Sequence, residues 1–175
     1  MPDPISDMPA MTGYGVGGDT WEPLPWSWAA QRLRDSRNYW LVTVSPDAAP
    51  HTLPVWGVWH DDEHRFCFSC APNARKARNL AGNPQVAVTP ESTVEALSVN
   101  GTAHTVVGAR REEWIERYLA KYLPLSPDLT ADFLRENACY EVIPVRAIAV
   151  IEREDEFATR ATRWRFDGRG SLPDS

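Results

Sequence analysis

The chain has 175 residues, 43% of them apolar, and 24 Asp and Glu against 18 Lys and Arg give a formal net charge of −6. That length and composition fit one domain with a real hydrophobic core. The charge argues against a broad nucleic-acid surface, and no run of roughly 18 apolar residues is present to cross a membrane.

Residues 1–25 are rich in Pro, Gly and Asp and predict an irregular arm that packs through Trp21 and Trp26. They lack the basic start and apolar stretch of a signal peptide. The expected compartment is therefore the cytosol, where the three cysteines would be reduced. Residues 25–36 predict a short amphipathic helix, capped by Ser27, with Trp28, Leu33 and the alanines on its packed side.

The period then changes from helical to two. Residues 39–47 and 50–62 alternate as strands. In the second, His51, Leu53, Val55, Gly57 and Trp59 share one face, and Thr52, Pro54, Trp56, Val58 and His60 the other. The polar turn that follows carries His60 and His64, expected to be exposed, and leads into a strand over 64–70 to make a hairpin. Strands over 84–91 and 93–107 come next, with Gly101 marking a bulge or bend. Helices over 109–123 and 127–137 are separated by Pro124 and Pro127. Residues 138–154 return to strand, 157–167 read as a last strand or extended arm, and 168–175 should fray. The expected fold is mainly β within the α+β class: a six- to seven-stranded antiparallel barrel, closed or half-closed, with a few peripheral helices. The expected organisation is an arm over 1–25, a barrel domain over 26–167 and a flexible tail.

The chemistry concentrates in "SCAPNARKARNLAGNP", residues 69–84. Asn73 reads as an N-cap, 74–81 as a helix and Gly82 as its C-terminal cap. Ala74, Ala77 and Leu80 or Ala81 would face inward, leaving Arg75, Arg78 and Asn79 close together on the other side. Arg75 and Lys76 fall in the first turn, where free N–H groups already carry partial positive charge. Two cations there each cost a few tenths of a kcal/mol, about the lower end of a helix-dipole interaction. An anion at that spot would reverse the sign, since a phosphate accepts the free N–H bonds, an Arg fork and a Lys charge together. A solvated basic helix face is the other explanation, and the spacing alone leaves both open.

The strings "VTVSPDAAPHTLPVWGVWHDD", "RKARNLAGNPQVAV" and "VNGTAH" resemble the flavin-binding split-barrel superfamily of pyridoxamine 5′-phosphate oxidase-like proteins, over roughly residues 28–167. Within it, they look most like the actinobacterial branch of deazaflavin (F420)-dependent reductases. The resemblance implies a split barrel, a homodimer and an F420 cofactor, with FMN as the alternative. It implies that Arg75 and Lys76 bind the cofactor phosphate, with Ala74 standing where the family usually has Ser. Arg78 and Asn79 would extend that anion site. Leu53, Pro54, Val55 and Trp56 would lie along the cofactor ring, and Ser69 and Cys70 would approach the phosphate and the sugar-alcohol chain. Arg163, Trp164 and Arg165 would reach toward the same groove. The implied activity is hydride transfer between reduced deazaflavin and a small conjugated substrate. An FMN-dependent oxidase or flavin reductase and a non-catalytic cofactor carrier are the alternatives.

Other candidates are weaker. Cys67 and Cys70 stand three apart on a strand, so their side chains point to opposite faces and make neither a redox pair nor a zinc site; Cys139 also reads as a buried strand residue. His51, His60, His64 and His104 have no metal-ligand spacing, and no metal is expected. The glycine-rich stretch 13–18 precedes no strand–helix unit, and no catalytic-serine or P-loop string occurs. Trp114, Ile115, Tyr118 and Leu119 recur at helical spacing and predict core or dimer packing.

Overall fold

In the computed structural model, residues 1–17 and 19–166 are described; the predicted tail over 168–175 lies outside them. The strands are β1 (Ile5–Asp7), β2 (Tyr39–Val44), β3 (Pro50–Val55), β4 (Gly57–His60), β5 (Arg65–Cys70), β6 (Gln85–Pro90), β7 (Glu95–Thr105), β8 (Ala138–Ile151) and β9 (Thr162–Arg165). The helices are α1 (Trp26–Asp35), α2 (Arg75–Gly82), α3 (Gly108–Tyr122), α4 (Ala131–Glu136) and α5 (Glu154–Arg160). All strand pairs are antiparallel, in the order β1-β9-β8-β7-β6-β2-β3, with β5 joining β4 to β8. This is the expected mainly β fold, an open split barrel with few helices.

Long β8 serves two neighbours on one edge. Ala138–Val142 pair with β5, and Arg146–Ala149 pair with β9. Pro144, which has no N–H to donate, falls between the two partners. Gly101 sits at the register shift between β7 and β8, as expected of a bulge; a Cβ there would lie 2.3 Å from the Ile143 carbonyl oxygen.

The strand count rises to nine for local reasons. Residues 50–62 do not form one strand: β3 pairs with β2, and β4 pairs with β5. The break lies at Trp56, next to Gly57, where a Cβ would sit 2.1 Å from Phe66 Cζ. Backbone and ring approach too closely there for any other residue. The arm is not wholly irregular, because β1 pairs with β9, and Trp21 Nε1 donates to the Ala161 carbonyl at 2.8 Å. Residues 154–160 form α5 instead of extended chain. Glu154, Asp155 and Glu156 occupy its first turn, where the helix dipole favours acids. Pro25, and not Ser27, holds the N-cap position of α1, while Thr130 caps α4 by accepting from the Phe133 N–H at 3.1 Å.

Period-two alternation splits the apolar residues between two cores. Phe66, Phe68, Tyr140, Val142 and Trp59 face the barrel interior with Leu41, Val88 and Val99, closed at one end by Trp26, Ala29 and Leu33 of α1. The opposite faces of β4, β5 and β8 send Val58, Cys67 and Cys139 outward against Trp114, Ile115, Tyr118 and Tyr122 of α3 and Leu134 of α4. No helix among the described residues is long and apolar enough to cross a membrane.

Candidate cofactor site

β5 ends at Cys70, and α2 begins five residues later at Arg75. Ala74, in extended conformation, takes the N-cap position in place of Asn73. It offers no side-chain acceptor, and the first turn holds no acid. The first N–H groups of α2 are thus left without a side-chain cap. Ala77, Asn79 and Leu80 are buried, Arg75 and Arg78 are exposed, and Lys76 is half-buried. Asn79 is therefore on the inner side, not beside the cations: its amide donates to Thr43 Oγ1 at 2.9 Å and pins α2 to β2.

Arg75, Lys76 and Arg78 form no ion pair with a carboxylate among the described residues. Arg78 Nη1 donates to the Asn73 carbonyl at 2.6 Å, which holds its guanidinium beside the start of the helix. Asp47, in the turn between β2 and β3, is close enough to feel Arg75. The Ser45 hydroxyl holds its carboxyl below the ordinary value, with a smaller pull from Arg75. On the other flank lies Cys70, whose thiol is pushed up by burial and drawn back by Lys76.

From that turn β3 runs along the outside of the sheet to Trp56. Leu53 is 45% exposed, and Pro54 is exposed opposite Trp40, itself 46% exposed. Val55 is buried, and Trp56 stacks on Tyr122 with centroids 4.5 Å apart and planes 4° from parallel. Pro54 thus offers surface on the face it shares with Trp40 and Trp56, while Leu53 is exposed on the opposite face, beyond the buried Val55. Ser69 and Cys70 diverge. Ser69 lines a small cavity under α3, where its Oγ is buried without a partner, and Cys70 lies beside Lys76. Arg163 and Arg165 pair with Asp7 on β1 at 2.7 and 3.0 Å, and Trp164 is fully buried. Those three side chains belong to the β1–β9 edge and do not join the cations of α2.

The two turn histidines, expected outside, are buried. His64, at φ 49°, packs edge-on against Trp26 and Phe166, and burial holds its pKa below the ordinary value. His60 Nδ1, Glu63 and Glu113 bring donor atoms within 4.8 Å of one another, as metal ligands would. The cation among those carboxylates is already Arg110, which reaches Glu63 at 2.5 Å, Glu141 at 2.6 Å and Glu113 at 2.7 Å. Its guanidinium lowers the pKa of both Glu63 and Glu113.

Lys121 was not legible as special from the sequence. From α3, its Nζ donates to Tyr39 Oη at 2.7 Å and to the Gly57 carbonyl at 3.0 Å, at the break between β3 and β4. Burial lowers its pKa to about 8. A single lysine on a helix gives no sequence signal of this; only the approach of α3 to that break creates it.

The family model of pyridoxamine 5′-phosphate oxidase matches residues 29–154. No curated protein matches the chain in sequence. Among solved structures, the chain is similar to a conserved hypothetical protein of Mycobacterium tuberculosis, with 18% identity and a TM-score of 0.63, over 74% of this chain and 86% of that one. It is similar to an F420 reductase, with 22% identity and a TM-score of 0.56, over 71% and 98% of the two chains. It is also similar to HutZ, the haem storage protein of Vibrio cholerae, with 20% identity and a TM-score of 0.53, over 70% and 91%. At these identities the likeness establishes the fold alone.

Proposed function

The chain belongs to the pyridoxamine 5′-phosphate oxidase family, and from that premise we propose that it is an oxidoreductase that binds deazaflavin F420 along β3 with the cofactor phosphate at the start of α2. The observation that carries the reading is the cluster of Arg75, Lys76 and Arg78, uncompensated by carboxylates among the described residues of an acidic chain, at a helix start with no side-chain cap. A phosphate satisfies that combination, and a solvated structural helix does not require it.

The residues fit such a group in three ways. Arg75 offers a planar fork and Lys76 a point charge to phosphate oxygens, and the first N–H groups of α2 add donors. Arg78, held by the Asn73 carbonyl, extends the positive surface toward a longer anionic tail, which favours F420 over FMN. Pro54 and Trp40, opposite each other on the face of β3 that also carries Trp56, provide an apolar strip for a flat ring, and Trp56 stacked on Tyr122 extends that face. When bound, the deazaflavin would supply the hydride. The chain's own work is then to anchor the tail, orient the ring and keep water from its buried face. A homodimer would complete the site, a second copy covering the exposed Trp40 and Leu53. A small conjugated substrate would stack on the ring. The solved-structure likeness to an F420 reductase supports this cofactor, whereas the likeness to a haem storage protein keeps a non-catalytic carrier as an outcome to be tested.

Absorbance titration of purified protein with F420 and with FMN tests the reading. It predicts micromolar binding of F420 and none of FMN, with at least a tenfold loss in Arg75→Ala/Lys76→Ala, equivalent to about 1.4 kcal/mol. Turnover of reduced cofactor with enones and quinones then separates an enzyme from a carrier. Binding of FMN alone, or unaltered affinity in the double variant, contradicts it.

A further inference from the structure

Cys67 on β5 and Cys139 on β8 lie 72 residues apart in sequence, yet their Sγ atoms are 3.2 Å apart. The register explains the meeting. Cys67 stands opposite Glu141 and Ser69 opposite Cys139, so the two thiols are diagonal neighbours on the outward face of the sheet. Cys67 is 1% exposed and Cys139 6%. With Ser69, Trp114, Tyr118 and Leu134 they line a cavity of about 10 Å³, close to the space one water-sized molecule needs. Its one orphaned polar atom is Ser69 Oγ, buried with no partner and available to hold a small polar guest.

We propose that Cys67 and Cys139 are an oxidation site, which a small peroxide admitted to the cavity under α3 converts into a disulfide between β5 and β8. The hydrogen bond from Cys67, and then the charge of Arg111, lower the Cys139 pKa, while burial pushes the Cys67 thiol up. Cys139, the less buried of the two thiols and near Arg111, is the attacking sulfur. It attacks one peroxide oxygen, the O–O bond breaks, its thiol proton leaves with the departing oxygen as water, and a sulfenic acid remains. Cys67 Sγ attacks that sulfur, the S–O bond breaks, the S–S bond forms and a second water leaves. The two thiols lose two electrons, and one hydrogen peroxide is reduced to two waters. The sulfurs, 3.2 Å apart, need to approach by about 1 Å to reach the S–S bond length. Cys70, on the opposite face of β5, takes no part and serves as an internal reference.

Hydrogen peroxide treatment of the folded protein, followed by denaturation, alkylation and non-reducing peptide mapping, tests this. The expected result is one alkylatable thiol out of three, at Cys70, and a Cys67–Cys139 linked peptide that a reductant releases. Cys139→Ser should abolish the link, and Cys70→Ser should retain it, which keeps the test decisive if the former does not fold. Three alkylatable thiols after treatment, a bond that includes Cys70, or Cys139 over-oxidised with Cys67 still free would each overturn the proposal.

Discussion

Arginine plays opposite parts at the starts of α2 and α3. Arg110, three residues past the N-cap of α3, is enclosed by Glu63, Glu113 and Glu141, and Trp114 Nε1 donates to the same Glu141 oxygen at 2.9 Å. Arg75, in the corresponding turn of α2, meets no carboxylate in an ion pair and faces solvent beside Lys76 and Arg78. The chain is acidic and had carboxylates to spend at both places. The first arrangement is saturated within the molecule and ties the β4–β5 turn, β8 and α3 together. The second leaves its charge without a carboxylate, as the proposed phosphate site requires. On that proposal, an arginine's bonding partners distinguish a structural cation from a binding one better than its position on a helix does.

Among substitutions of the two arginine clusters, the larger expected loss of stability tests the saturated side. Arg110→Ala leaves half-buried carboxylates facing one another, a situation between an exposed pair and a fully buried one, and should cost about 2 kcal/mol of stability. Chemical denaturation measures that loss, and F420 affinity should stay unchanged. The converse holds for Arg75→Ala/Lys76→Ala. Removing two cations from a helix N-terminus should leave stability unchanged or raised by a few tenths of a kcal/mol, about the dipole contribution of exposed charges. A clear drop in thermal midpoint for that variant would mean that these cations also hold the fold.

A separate effect, read from pH dependence, concerns a cation with neither an ion-paired carboxylate nor free solvent. Lys121 has a pKa lowered to about 8 by burial, against an ordinary 10.5. The unfolded chain then binds more protons than the folded one between those values, so stability rises with pH across that window. Below about pH 8 the cost of holding the ammonium buried is fully present. Lys76 and Lys121 are the only lysines, so NMR of reductively methylated protein separates the two amines. Lys121→Met should flatten the rise, and a Lys121 amine titrating near 10.5 would contradict its burial.

Much of the strand sequence was legible because each strand carries its own period-two pattern, and β5 and β6 lie within a residue of the predicted spans. The helix at α2 was legible, with Ala77 and Leu80 inward and Arg75 and Arg78 outward as expected, but its caps fall at Ala74 and Asn83 and not at Asn73 and Gly82, and Asn79 is buried. Asn79 reads as polar and therefore outward, but Thr43 offers it an inward partner that only the packing of α2 on β2 supplies. The same limit hid the break at Gly57, the burial of His64 among aromatic rings and the meeting of Cys67 with Cys139. Each depends on contacts between elements far apart in the chain. The cationic trio was legible because it is local: three positions in four, beside a helix start.

A crystal structure of the protein with bound F420 tests the central claim most directly. The account predicts the phosphoryl group within hydrogen-bonding distance of Arg75, Lys76 and the first N–H groups of α2, with the ring along β3 beside Pro54. A phosphoryl group bound elsewhere, with the start of α2 in contact only with solvent, would contradict it.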